Sequence, residues 1–377
     1  MPDFLIIGAG INGLLTAREL LANGASVTLL DQQYAAREAS WAGGGIVSPL
    51  YPWRYSAAIT ALASWAQAFY PTLADELACE TGIDVEFCPQ GLLMLDSREE
   101  AQALRWAAQF GRRMQAIPQP AIYQQEPDLA PGFTSALWMP EVAHIRNPRL
   151  CAALLSSLQQ QKNFQLLQHR RMIAMDLQGD SGVSVLAQGQ NQATPQRLHA
   201  EHLVVTAGAW TAELLESHLP ANCVAPVKGQ MLLFKLDEPP LQRIVLTDGR
   251  YLIPRQDGHL LVGSTLEFAG FDKRSTVAAK ESLLESAYAL VPQLESMQPV
   301  QQWAGLRPGS ADGVPLIGAV PNTDRVFVNA GQYRNGLVLA PASARLLVDI
   351  ILAREPITDP LPYAPSREFR NELTRSA

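Results

Sequence analysis

The apolar run Phe4-Leu5-Ile6-Ile7 leads directly into Gly8, Gly10 and Gly13, and a second apolar run, Val27-Thr28-Leu29-Leu30, ends on the acid Asp31. Strand, glycine-punctuated turn, helix and strand in that order commit the start of the chain to a βαβ-type unit. Gly8 permits the tight turn, Gly10 lets the main chain approach a pyrophosphate, and Gly13 lets the helix pack closely on the strand. The helix then presents its free N–H groups and positive dipole end to phosphates. Its expected buried face is Leu14, Leu15, Ala17, Leu20 and Leu21, with Gly24 as the stop. Asp31 is positioned to accept hydrogen bonds from both hydroxyls of an adenosine ribose, and its charge disfavours a 2'-phosphate. A dinucleotide is the expected ligand.

A chain of 377 residues buries a large core and is expected to form two lobes. Its net charge of −7 argues against nucleic acid or an anionic membrane as partner, because no long basic run neutralises phosphates. Arg112-Arg113 and Arg170-Arg171 are too short for that role. The N-terminus enters a core strand without an export signal, so the expected location is cytoplasmic. Residues 336–352 are apolar but interrupted by Pro341, Ser343, Arg345 and Asp349, which reads as a buried helix rather than a membrane span. Cys79, Cys88, Cys151 and Cys223 lack metal-ligand spacing and read as buried thiols, and no histidine pair suggests a metal site.

Three consecutive glycines in Ser40-Trp41-Ala42-Gly43-Gly44-Gly45-Ile46 strip a short piece of backbone of side chains. Such a run is either a flexible loop or a seat for something flat, and its framing by Trp41 and Ile46-Val47 favours the seat. An amphipathic helix is expected over 57–70, with Ile59, Leu62, Ala66 and Phe69 on one side. Pro118, Pro120, Pro127, Pro131 and Pro140 suggest irregular excursions over a substrate lobe. Asn147-Pro148 reads as helix N-cap and first helical residue, ahead of Leu150, Leu154, Leu155 and Leu158. Leu203-Val204-Val205, followed by the small residues Ala207 and Gly208, looks like a return to the nucleotide lobe. Residues 224–263 change to antiparallel strand pieces, with a hairpin at Gln256-Asp257-Gly258. A helix over 278–290, the strand Val326–Asn329 and a last long helix follow. The expected class is α/β (α+β overall). A Rossmann-like dinucleotide domain is assembled from 1–85, 141–222 and 300–377, and a discontinuous antiparallel-sheet substrate domain from 86–140 and 223–299.

The segments IIGAGINGLLTAREL, ASWAGGGIVSP, VVTAGAW, PVKGQ, YLIPRQDGHLLVGST, WAGLRPGSADGVPLIG and GQYRNGLVLAP occur in this order. Through them the chain resembles, over nearly its whole length, the D-amino-acid oxidase group of FAD enzymes, nearest to the glycine oxidases of thiamine biosynthesis. The resemblance implies FAD bound without a covalent link. Relatives with covalent flavin, such as monomeric sarcosine oxidase, carry a cysteine just before the position of Asp312, whereas this chain has none after Cys223. It implies FAD contacts from Ile11 and Asn12 at the helix start, from Asp31 and Gln32 at the ribose, and from Ala39, Ser40, Gly44, Gly45 and Ile46 near pyrophosphate and flavin. Met172 would meet the adenine through its backbone. The turn Gln332, Tyr333, Arg334, Asn335, Gly336, Leu337 and Val338 would run beside the isoalloxazine ring. Asn12 departs from the apolar residue usual at its position.

The same resemblance directs the substrate site to Arg334, Arg307 and Tyr251. A planar guanidinium binds both oxygens of a carboxylate and so fixes the direction of the adjacent C–H bond, which favours Arg334 as the anchor. Tyr251 offers a hydroxyl to the same carboxylate. Each has a plainer alternative: Arg334 paired with a surface acid, Tyr251 as core with a wet tip, Arg307 bracing a Pro308-Gly309 turn. Trp53, Tyr55 and Leu266 are candidate walls. A helix starting at Gly336 would favour negative charge on a reduced ring. The implied activity is FAD-dependent oxidation by O2 of glycine, sarcosine or small D-amino acids to the 2-oxo acid, ammonia and H2O2, supplying thiamine thiazole synthesis. The alternative is a D-amino-acid or sarcosine dehydrogenase passing electrons to another carrier. A flavoprotein that binds RNA is disfavoured by the acidic balance. Relatives of this kind form homotetramers or dimers, and a homo-oligomer is expected.

Overall fold

The computed structural model describes residues 1–96, 98–179, 182–190 and 194–369. Among them the strands form three sheets. Phe4–Ile7 lies inside a six-stranded sheet, parallel to Val27–Leu30 on one side and to His202–Val205 on the other. Phe164–Leu167 extends it in parallel beyond Val27–Leu30, Val326–Ala330 beyond His202–Val205, and Leu316–Ala319 closes the edge antiparallel. These strands read as unbroken apolar runs because both faces are covered. Phe4, Ile6, Val27 and Leu29 pack with the helices Ile11–Ala22, Ala57–Thr81, Asn147–Gln159 and Gly336–Ile351. The alternate residues Leu5, Ile7 and Leu30 pack with Met172, Val183, Val185 and Ala187 of a three-stranded antiparallel sheet, Arg170–Gly179, Gly182–Gly189 and Gln196–Ala200.

An eight-stranded sheet forms the second layer system, in the order Gln301–Ser310, Val224–Lys235, His259–Gly263, Arg250–Pro254, Ile244–Thr247, Leu92–Leu95, Ser135–Met139 and Gln115–Pro118. Neighbours run antiparallel except Ile244–Thr247 and Leu92–Leu95. Leu232, Phe234, Leu252 and Val262 face the helix Val277–Leu290, while Met231, Tyr251 and Ile253 face the other way. This is the period-two alternation of a sheet with two different faces.

Several expectations are corrected. Residues 301–310, assigned to the nucleotide lobe, pair along their length with 224–233 and so belong to the larger sheet. Arg307, Pro308 and Gly309 therefore lie in a strand, not a turn. The proline-rich middle is regular only in part: Pro127, Pro131 and Pro140 stand in turns, whereas Pro118 ends an edge strand and Pro120 sits in the first turn of the helix Gln119–Gln125, where its missing N–H has no intrahelical partner to lose. The helix expected to stop at 70 runs through Pro71 to Thr81 and ends on Gly82 at φ 69°. Asn147 is the first helical residue rather than the cap. Cys79 is exposed, whereas the other three thiols are buried.

Candidate active site

The carboxyl ends of Phe4–Ile7, Val27–Leu30 and His202–Val205 open into one cleft that the eight-stranded sheet closes from the other side, where ligands bind in open parallel sheets. Its walls bring together Gly8, Gly10, Ile11, Asn12, Asp31, Gln32, Ala39, Ser40, Gly44, Gly45, Ile46, Met172, Ala207 and Gly208, together with Gln332, Tyr333, Arg334, Gly336 and Leu337. Tyr251 and Arg307 join them from the larger sheet. Gly13, Asn335 and Val338 do not line it. A Cβ on Gly13 would sit 2.0 Å from the Gly8 carbonyl, so its glycine serves helix-to-strand packing. Asn335 is buried beside Tyr55, and Val338 lies in the core.

Both Asp31 oxygens hold the turn, Oδ2 accepting from the Ala9 N–H and Oδ1 from the Gln33 N–H at 2.8 Å each. Burial raises its pKa against these two hydrogen bonds, and each oxygen keeps a lone pair for a further donor. Ser40 Oγ accepts from the Ile11 N–H at 2.9 Å, capping the first helix from the glycine segment. Asn12 Nδ2 donates to Gln332 Oε1 at 2.6 Å, and Gln332 Nε2 donates to Asn329 Oδ1 at 2.6 Å. Asn12 thus ties the first helix to the turn after the last parallel strand, and its own Oδ1 is buried without a partner among the described residues.

Strand register builds the substrate end. Met231, Gly263 and Tyr251 stand opposite one another on three adjacent strands. Gly263 has no side chain to separate them, so the Tyr251 hydroxyl reaches Met231 Sδ at 3.3 Å. Arg307 is half-buried and donates to the Lys228 and Thr265 carbonyls and to Ser264 Oγ at 3.3, 3.2 and 2.7 Å. Gly229 leaves room for it, since a Cβ there would meet its Nη1 at 2.2 Å. Tyr251 also lies within hydrogen-bonding reach of this guanidinium. Burial, and then the nearby Arg334 charge, pull the Arg307 pKa down. No carboxylate pairs with Arg307 among the described residues. Two neighbouring guanidiniums, one half-buried, make an electropositive end that an anion relieves. Arg334 is exposed and stands 5.3 Å from the ring centre of Tyr333, whose buried hydroxyl has no hydrogen-bond partner among the described residues.

The profile of the DAO family, FAD dependent oxidoreductase, matches residues 3–350. The chain belongs to this family of FAD-dependent oxidoreductases. The glycine oxidase of Pseudomonas aeruginosa is 51% identical over 363 residues, covering 96% of this chain and 98% of that protein. The bifunctional protein ThiO/ThiG of Trichormus variabilis is 31% identical over 95% of this chain, which spans 54% of its length. The crystal structure of glycine oxidase from Geobacillus kaustophilus superposes with a TM-score of 0.90 at 29% identity, covering 98% of this chain and 99% of that one.

FAD fits the cleft of this oxidoreductase. The carbonyls of Gly43, Gly44 and Gly45 all turn to the protein side, onto Asn147 Nδ2, Arg255 Nη2 and the Ile145 N–H at 3.1, 2.8 and 2.8 Å. A trans peptide points its N–H opposite to its carbonyl, so the N–H groups of Gly44, Gly45 and Ile46 face away from those partners. They make no hydrogen bond among the described residues, although Gly44 and Gly45 are buried. Consecutive buried donors in a cavity wall call for an acceptor-rich ligand edge, which a flavin provides. Of the expected walls, Trp53 donates to Glu99 at 2.6 Å and Leu266 packs on Tyr333's cluster, neither lining the cleft, and Tyr55 stands behind Asn335. Met231, Leu50, Gly229, Asn147 and Trp210 line it instead. Their positions depend on register and long-range closure, which no local pattern announces.

Proposed function

We propose that this chain is a glycine oxidase that consumes glycine, and also sarcosine and small D-amino acids, with O2, and that it supplies the thiazole branch of thiamine synthesis. For glycine the overall reaction is glycine + O2 + H2O → glyoxylate + NH3 + H2O2. Bound FAD supplies the acceptor for the hydride leaving the α-carbon and the route of the electrons to O2. The observation that carries the reading is the meeting of Arg307, Arg334 and Tyr251 at one end of the cleft. In this proposal Arg334 grips the substrate carboxylate as a fork, Arg307 adds positive charge from below, and Tyr251 donates its hydroxyl. Such a grip aims the α C–H without a protein base, and the site needs the amine in its neutral form. Met231 and Leu50 limit the room beside the α-carbon, which supports small substrates.

The remaining cleft residues, from Gly8 through Asp31 and Gly44 to Leu337, are proposed as the FAD cradle, without a covalent link. No cysteine lines the cleft, consistent with that reading. A cytoplasmic homotetramer or dimer completes the proposal, and light scattering on the purified protein decides the assembly. Among the described residues no helix is long and apolar enough to cross a membrane. The deciding assay is peroxide release in air from glycine, sarcosine, D-alanine and D-proline. Peroxide from glycine is expected. Dye reduction without oxygen uptake would instead make the protein a dehydrogenase. Arg334→Leu is expected to keep FAD and lose about 100-fold in kcat/KM, the scale of a charge-assisted bidentate contact, and an unchanged kcat/KM removes Arg334 from the site.

A further inference from the structure

Behind the glycine wall lies a buried group that the proposed reaction leaves unused. Arg255 is 3% exposed and His144 is fully buried. The guanidinium meets His144 Nδ1 at 2.6 Å and donates to the Ile145 carbonyl at 3.1 Å and the Gly44 carbonyl at 2.8 Å. No carboxylate forms an ion pair with it among the described residues, because Arg146 takes the nearby Glu86 and Asp257. His144 is the neutral acceptor that makes this possible, with Nε2 2.8 Å from Gln90 Oε1. A charge held only by neutral acceptors is costly to bury and keeps its field. That field is directed, through a hydrogen bond, into the peptide whose N–H is the unpartnered donor of Gly45.

We infer that Arg255 is a positioning residue for the flavin. It locks the Gly44 carbonyl away from the cleft, aims the Gly45 N–H into it, and places a positive charge behind the wall against which the reduced, more negative ring rests. A preoriented donor backed by charge stabilises the reduced form over the oxidised one and so raises the flavin's potential. The inference rests on the flavin reading of the cleft.

The test compares the parent holoenzyme with R255K and R255M, reading the flavin midpoint potential, the FAD dissociation constant and the visible spectrum. The parent is expected to bind FAD; if it does not, the flavin reading fails before Arg255 is at issue. R255M removes charge and fork together. Its potential is expected to fall below the parental value, with FAD bound tenfold or more weakly. In R255K one ammonium cannot serve His144, Ile145 and Gly44 at once, so an intermediate fall and partial recovery of FAD affinity are expected. A parental potential in either variant overturns the inference, and R255K alone decides if R255M does not fold. A general loss of stability would lower melting temperature without moving the potential of the flavin that remains bound.

Discussion

Tyr251 concentrates the residue-scale chemistry on one oxygen. Within the chain its hydroxyl donates to the thioether of Met231, a weak acceptor, and the Arg307 guanidinium within its reach keeps the Lys228, Thr265 and Ser264 oxygens, so deleting it orphans no strong group. Tyr251→Phe is therefore expected to melt close to the parent while weakening the apparent affinity for glycine about tenfold, the scale of one hydrogen bond to a charged group; steady-state kinetics alongside thermal melts check both halves. His144 behaves oppositely, mattering to stability rather than to substrate. Burial, and then the Arg255 charge, push its pKa down to about 3. Above pH 6.5 the ring is neutral folded and unfolded. As pH falls below that, only the unfolded chain takes the proton, so stability drops, by about 2 kcal/mol near pH 5 from this residue. His144→Gln should flatten that part of the curve in urea melts at pH 7 and pH 5, and an unaltered slope would refute the assignment. Asp31, Gly8 and Tyr251 were nameable from sequence because their roles follow from local spacing or motif. His144 was not, since an isolated histidine carries no signal of the arginine 111 residues away that it faces.

At the scale of elements, the strands around Asp31 and the hairpin at Gln256-Asp257-Gly258 were legible because apolar runs and turn residues are local codes. The helix Ala57–Thr81 outruns its expected end at 70 although proline, a helix breaker in isolation, stands at 71. Tertiary packing overrides it: Leu73, Ala74 and Leu77 beyond the expected end bury into the same core as Ile59 and Leu62. Pro71 itself is exposed, and it cannot supply the N–H that the Gln67 carbonyl would accept. Pro71→Ala should therefore raise stability by about 1 to 3 kcal/mol, read as a higher urea midpoint at unchanged slope; a lower midpoint would mean that the proline shapes the helix's packing. Val183, Val185 and Ala187 do alternate at strand period, but the outer strand Gln196–Ala200 is largely exposed and offers little apolar pattern, so this sheet was not legible as a unit.

For the whole molecule, the cleft is a joint product of two sheets, and residues of both line it. FAD should then act as a stability term for both lobes together. At free FAD one hundred times its dissociation constant, the expected gain is about 2.7 kcal/mol. Differential scanning calorimetry of FAD-stripped protein should show a melting temperature that climbs with added FAD; one that FAD does not move would show that the cleft holds something else. The sequence alone determined the βαβ start, the acid at its second strand and the glycine-lined wall, because backbone geometry at glycine and strand periodicity act within a few residues. Motif resemblance added the substrate arginines and tyrosine. Tertiary structure decided the rest. Met231 meets Tyr251 through the register of three strands across Gly263, and Arg255 reaches the Gly44 carbonyl from 211 residues away. Register and closure are set by the packing of the whole core, so contacts of that range are written in no local stretch of the chain.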